Sequence, residues 1–376
     1  MKRRIDRLSW VGVVALLATS QLRCVGVAKE RARRDETIGQ GESGGATFAV
    51  VDGLGVLRKL EPGVVSLWAK APSIAIEVML GESAPGTWNL TVGNTLPDAV
   101  LELQTDTGGT PPRAESLPSA IPTEKRWALT LAAGKTILLV HSARGEPVGP
   151  WRFALLSDIQ EAIDRVQDIY ARINADPNIS FVVSAGDLTW DWSMQELERF
   201  QHELDSLRVP FYPTLGNHEL GTEDGAPFQR YFGRANFRFV HGGMQFTFID
   251  SASGTIDPLV YARLDAWLAE GRQRTHAVLA HIPPIDPIGV RKEGFVNRNE
   301  ANKFLAELAE ANVDITLYGH IHSYYAFANA GIPAYISGGG GSVPERFDGI
   351  GRHYMTVDVD PARGILQTGI VRIDGE

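Results

Sequence analysis

Period-two alternation dominates the first third of the chain. In SIAIEVML the side chains of Ile74, Ile76, Val78 and Leu80 fall on one face. Trp88, Leu90 and Val92 do the same in TWNLTV, as do Trp127, Leu129 and Leu131 in RWALTL. Apolar residues at every second position, broken by Gly and Pro turns, predict half-buried antiparallel strands. Six or seven such runs predict a small all-β sandwich-like domain over residues 46–147. The preceding stretch KERARRDETIGQGESGG, residues 29–45, is charged and Gly-rich and reads as a linker.

After ARGEPVGPW the pattern changes. Unbroken apolar runs now alternate with segments at helical spacing, such as the one that places Ile163, Val166, Tyr170 and Ile173 on one face. SMQELERFQHELDSL and NEANKFLAELAEA read the same way. Strand and helix in alternation predict an α/β domain over residues 148–376, its sheet covered by helices.

In open α/β sheets the functional groups gather beyond the carboxyl ends of the strands. FALLSDIQ ends in Asp158 and Gln160, FVVSAGDLTW in Gly186 and Asp187, and VPFYPTLGNHE in Asn217 and His218. HAVLAHIPP ends in His281, and DITLYGHIHS in His320 and His322. Four of the nine histidines thus fall at successive strand ends. Such a set suits two cations about 3.5–4 Å apart, which hold an attacking hydroxide and a phosphoryl oxygen together. Glycines beside Asp187, Asn217 and His320 let the backbone turn tightly there. His320 and His322, two apart in an extended segment, point to the same side and can each take a different ion. Two divalent ions outweigh Asp158, Asp187 and a hydroxide, so the site still attracts phosphate.

The ordered set SDIQ, GD, GNHE, HIPP and GHIH resembles the calcineurin-like metallophosphoesterase superfamily, over about residues 151–373. The resemblance implies a four-layer αββα sandwich and a dinuclear metal centre that hydrolyses phosphate esters. It assigns Asp158 and His322 to the first metal, with Gln160 nearby. It makes Asp187 the bridging ligand and gives Asn217, His281 and His320 to the second metal. His218 would face the substrate, protonating the leaving oxygen or stabilising the transition state. The two catalytic residues expected are therefore His218 and Asp187.

The family's commonest first motif is Asp-x-His, and here it is Asp-x-Gln. Three readings stand side by side. Gln160 ligates through its carbonyl oxygen, which favours Mn²⁺ or Mg²⁺ over Zn²⁺, with Fe a further option. Alternatively it orders a metal-bound water, or one metal has been lost. Trp190 stands where relatives often carry Asp; with Trp192 it forms either a wall for an aromatic leaving group or helix packing. His353, Arg291 and Lys292 are weaker candidates. His141, His202, His241 and His276 lie outside the motifs and read as structural.

A net charge of −9 argues against a general nucleic-acid-binding surface. The basic, then apolar, start MKRRIDRLSWVGVVALLATS reads as an export signal over residues 1–28, too short to span a membrane. Cys24, the only cysteine, lies within it, so the mature chain would have no disulfide. Arg23 directly before Cys24 disfavours lipid anchoring there. The expectation is an exported metal-dependent phosphoesterase, with possible envelope docking through the β domain. The alternative is a non-catalytic envelope protein that binds a phosphorylated ligand or partner.

Overall fold

The computed structural model describes residues 28–105, 111–289, 293–345 and 350–373. Arg291, Lys292, Cys24 and the expected leader except Ala28 lie outside them.

The N-terminal region is all-β. One sheet contains β1 (Gln40–Ser43), β2 (Ala46–Val50), β5 (Ile74–Leu80), β10 (Gly134–Ser142) and β7 (Ala99–Thr105), in the order β1-β2-β5-β10-β7. The other contains β3 (Gly55–Glu61), β4 (Val64–Ala69), β6 (Thr87–Gly93), β9 (Lys125–Thr130) and β8 (Arg113–Leu117), in the order β3-β4-β6-β9-β8. The alternating residues line the space between them: Ile74, Ile76, Val78, Trp88, Leu90, Val92, Trp127 and Leu129 are all buried in one cluster. Phe48 and Trp88 meet there at 4.9 Å between ring centroids. Among the described residues, ten strands replace the six or seven expected. The missed ones include the edge strands β1 (QGES) and β8 (RAESL), which bury almost nothing and so carry no alternation.

The stretch 29–45 is not a linker. Residues 28–37 form a helix, α1, and β1 follows it. Arg31 and Asp35 are fully buried against the second domain. The Arg31 guanidinium donates to Asp250 at 2.7 Å and to Ser253 Oγ at 2.8 Å, and also reaches Asp224. Asp35 accepts from the backbone N–H groups of Ala235 at 3.0 Å and Asn236 at 2.9 Å. Sequence composition showed the charges but not their partners, which lie about 200 residues away.

The second domain holds two facing sheets. One contains β13 (Phe211–Pro213), β12 (Ile179–Ser184), β11 (Trp151–Leu155), β20 (His353–Asp360) and β21 (Gly364–Arg372), in that order. The other contains β14 (Phe237–His241), β15 (Met244–Ile249), β16 (Thr275–Ala280), β17 (Ile315–Tyr318), β19 (Ile332–Ser337) and β18 (Tyr324–Asn329), also in order. Phe153, Phe181, Phe239 and Phe246 fill the space between the sheets; Phe153 and Phe246 meet edge-on at 5.0 Å. On the outer face of the first sheet, α2 (Gln167–Ala175), α3 (Met194–Glu203) and α4 (Ala226–Phe232) bury Ile169, Phe200 and Phe228. On the outer face of the second, α5 (Pro258–Gly271) and α6 (Arg298–Glu310) bury Leu264 and Phe304. The result is helix, sheet, sheet, helix. The helical spacing expected from Gln160 begins instead as a 3₁₀ segment, Gln160–Arg165, before α2.

The β domain docks on β13 of the first sheet and β14 of the second. Lys70 is buried, donates to the Pro213 carbonyl and lies 4.0 Å from the Phe237 ring centroid. Asn94 accepts from Phe211 N–H at 2.7 Å and donates to the Phe211 carbonyl at 2.8 Å, so it covers the edge strand β13.

His276, on β16, is buried with Nε2 2.9 Å from Thr247 Oγ1. Burial pushes its pKa down to about 4 from 6.5. Its neutral form therefore stabilises the fold fully above pH 6.5, and that contribution is lost as pH falls from 6.5 through about 4, a total of roughly 3 kcal/mol. Urea midpoints compared at pH 7.5 and pH 5 should fall less in His276→Gln than in the parent; equal falls would assign the loss to other groups.

Candidate metal centre

β11 and β12 run parallel, as do β12 and β13, and in the facing sheet β15, β16 and β17 are parallel too. Their carboxyl ends therefore open on one edge, where the two sheets bring the ligand candidates together. His281 Nδ1 donates across the gap between sheets to the Ala185 carbonyl at 2.9 Å. The His320 and His218 backbone N–H groups donate to Asp158 Oδ1 at 2.8 Å and Asp187 Oδ1 at 2.9 Å.

Tight turns make this possible. Asp158, Gln160, Asp187 and His320 all have left-handed backbones, with φ of 61°, 47°, 52° and 70°. They are four of the nine described non-glycine residues in that region, and strain of this kind concentrates at functional sites. Glycine is required beside them: a Cβ on Gly216 would lie 2.1 Å from Asp187 Oδ1, and one on Gly319 2.5 Å from Asp158 Oδ2.

Two ligand sets result. Asp187, His281 and His320 converge on one position, and Asp158, Asp187 and His322 on another, with Asp187 common to both. Asn217 joins the first set: its Oδ1 lies 2.8 Å from His281 Nε2, which lies 3.3 Å from Asp187 Oδ1. Neighbouring ligands around an ion with bonds of about 2.1 Å are about 3 Å apart, so these separations fit a divalent cation. The second set also fits, because Asp158 Oδ2 is a buried carboxylate oxygen without a hydrogen-bond partner. Main-chain carbonyls fix the imidazoles. His281, His322 and His218 bond through Nδ1 to Ala185 at 2.9 Å, Val343 at 2.8 Å and Trp190 at 2.6 Å, so Nε2 faces the site in each.

The electrostatics fit cations too. Burial pushes the Asp158 carboxyl up. Burial acts the same way on Asp187, but His281 and His218 outweigh it and hold that carboxyl well below the usual range. Burial would lower His281, yet the charge and hydrogen bond of Asp187 raise it to about 9. His320 is pushed down to about 3 by burial and by His281. His281 thus carries the positive charge that a metal would bring, and binding a cation releases its Nε2 proton.

Of the three readings of Gln160, ligation through the carbonyl oxygen is not the arrangement seen here. Its Oε1 accepts from Ser342 Oγ at 2.7 Å, leaving Nε2 to face the ligands. Nε2 donates to Asp187 Oδ2 at 2.8 Å and lies 3.2 Å from His322 Nε2. The amide N–H groups therefore compete with an ion for two of the three ligands in the Asp158 set.

Sequence reasoning assigned no role to two residues that matter here. Ser342, from the glycine-rich loop, orients the Gln160 amide. Glu219 is buried and accepts from the backbone N–H groups of Asp187 (3.1 Å), Leu188 (2.7 Å), Thr189 (3.1 Å) and Gly216 (2.7 Å), joining two ligand loops. Burial and the charge of Asp187 push its carboxyl to about 7. Its signal was the acid closing GNHE, between turns rich in free N–H groups. His353 is buried against Gly339, with its Nδ1 2.8 Å from the Gly351 carbonyl. Trp192 packs on Gly221, whereas Trp190 is exposed beside His218.

Residues 152–324 match the sequence model of the calcineurin-like phosphoesterases. No curated protein matches the chain in sequence. Among solved structures it is similar to GAP50, the anchor in the inner membrane complex of Plasmodium, at 16% identity and a TM-score of 0.43, covering 61% of this chain and 90% of that one. A dimetal phosphatase from Danio rerio matches at 15% identity and a TM-score of 0.42, covering 61% and 100%. A putative 5'-nucleotidase from Staphylococcus aureus matches at 16% and 0.40, covering 60% and 55%.

Glu219→Ala strands four N–H groups and should cost about 3 kcal/mol or more, lowering Tm by on the order of 8 °C; an unchanged melting curve would show that the loops hold without it. In equilibrium dialysis against Mn²⁺, the parent should bind its first ion well ahead of the second. Gln160→His should strengthen the second by about tenfold or more. Equal affinity for both ions in the parent would remove the role given to the amide.

Proposed function

We propose that the chain is a metal-dependent phosphoesterase that hydrolyses a phosphate ester at this strand-edge site. The observation that carries the reading is the pair of ligand sets sharing the buried carboxylate of Asp187. Divalent ions held there supply Lewis acidity, which polarises the phosphoryl group and lowers the pKa of water. The residues do the rest. Asp187, buried and anchored by His218 N–H and Gln160, is held in the one position that serves both sets. His218 Nε2, 3.9 Å from Asp187 Oδ2, faces the substrate side and has its ring fixed by the Trp190 carbonyl.

As the oxygen of water bonds to phosphorus, the ester P–O bond breaks and the leaving oxygen departs with the bonding pair. It takes a proton from His218, while water's lost proton goes to solvent and His218 is reprotonated from it. A second reading, phosphate binding without turnover, is favoured by one observation: the Gln160 amide already occupies two ligands of the Asp158 set.

Hydrolysis of p-nitrophenyl phosphate and its bis ester with Mn²⁺, Mg²⁺ or Zn²⁺ separates the two. Turnover is expected with at least one metal and should vanish in Asp187→Asn. His218→Asn should lower kcat by about 10²–10⁴ while metal content stays constant. A folded protein that binds metal and phosphate but turns over neither ester would establish the binding reading.

A further inference from the structure

Two of the site's imidazoles reach its mouth: the side chains of His218 and His322 are 25% and 19% exposed. Each bonds through Nδ1 to the main-chain carbonyl of an apolar residue, Trp190 or Val343. Those residues expose their side chains, Trp190 by 54% and Val343 by 68%. The Trp190 ring lies beside that of His218, with centroids 5.2 Å apart and planes tilted by 47°. Ile285 and Ile288, in the loop after His281, are also exposed. Trp192 does not share this role, because a Cβ on Gly221 would sit 1.8 Å from its indole, so it is packed there.

An uncharged ring or alkyl chain in the leaving group would cover the apolar surface that Trp190, Val343, Ile285 and Ile288 expose.

We infer that Trp190 walls a leaving-group subsite, and that the substrate class is phosphate esters of an apolar alcohol or phenol. This rests on the phosphoesterase reading. With the phosphoryl group at the ligand sets, the ester oxygen faces His218, and the carbon bonded to it meets the indole beside that ring. Trp190 binds the leaving group and does not take part in the chemistry. Val343, whose carbonyl accepts from His322 Nδ1, adds a further exposed apolar side chain.

The test is calorimetric titration of the metal-loaded full chain with phenylphosphonate and methylphosphonate, neither of which is hydrolysed. The phenyl compound should bind about tenfold more tightly, a difference of about 1.4 kcal/mol. Trp190→Ala should bring the two affinities within about twofold, and Trp190→Leu, which keeps an apolar surface, should retain part of the preference. Equal affinities in the parent, or a preference that survives Trp190→Ala, overturns the subsite. So does tighter binding of adenosine diphosphate than of phenylphosphonate. Turnover of p-nitrophenyl phosphate is followed in parallel: its absence with an intact phenyl preference defeats the reaction alone, and turnover without the preference defeats the subsite alone.

Discussion

Two carboxylates, Asp158 and Asp187, are buried at the edge where the two sheets of the second domain meet. Burying like charges together is costly unless they are paired or hold a metal. Within the chain the cost is only partly offset. Backbone N–H groups serve one oxygen of each, His281 takes a proton to balance Asp187, and Asp158 Oδ2 is left unpaired. The other features of the edge follow from that deficit: imidazole ligands, an amide oxygen, glycines that leave no room for side chains, and a second rank of hydrogen bonds around the imidazoles. On the proposed function, an acidic protein takes an anionic substrate because attraction for phosphate comes from ions at this edge and not from the surface.

The N-terminal region bears on the same edge. Arg31 of α1 grips Asp250, the residue that follows β15. Next to it, Ser251 exchanges hydrogen bonds with Ile282, the neighbour of His281, at 3.0 Å and 2.8 Å. On the other sheet, Lys70 donates to Pro213 and Asn94 brackets Phe211, both on the strand that leads to Asn217 and His218. The β domain therefore holds the strand that leads to Asn217 and His218, and α1 holds the end of β15, beside the strand that leads to His281, through buried, directional contacts. Polar groups without water have few alternative partners, so these contacts also fix the geometry. Apolar packing alone would leave such strand ends freer to shift.

Most of this architecture was legible from periodicity. Strands with one buried face, such as β5 and β6, alternate cleanly, and strands buried on both faces, such as β12 and β16, read as apolar runs. What ended each run pointed to the edge. Three things were not legible. Edge strands such as β8 bury too little to leave a pattern. The partners of Arg31 lie beyond residue 220, so local composition made a buried helix look like a solvated linker. And the role of Gln160 depends on which end of its amide Ser342 takes, a contact across 182 residues. Glu219 was visible in GNHE, yet its task, collecting four N–H donors from two turns, exists only once both loops are folded.

The glutamine does not by itself mark a site that has stopped binding metal. Four left-handed residues at the edge cost of order 1–3 kcal/mol each, and the unpaired Asp158 oxygen adds a desolvation cost. An edge with no ligand to hold would be stabilised by relaxing any of these, for example with an apolar residue in place of Asp158. Instead the strain sits at Asp158, Gln160, Asp187 and His320, all of them among or beside the ligands. Gln160 relieves part of the repulsion by donating to Asp187, so its amide acts on the same charge that an ion would neutralise. The substitution thus trades ion affinity at the Asp158 set for stability when that set is unfilled. In the other set Asn217 Oδ1 and His281 Nε2 are 2.8 Å apart, and His281 Nε2 is 3.3 Å from Asp187 Oδ1, a geometry that suits a cation.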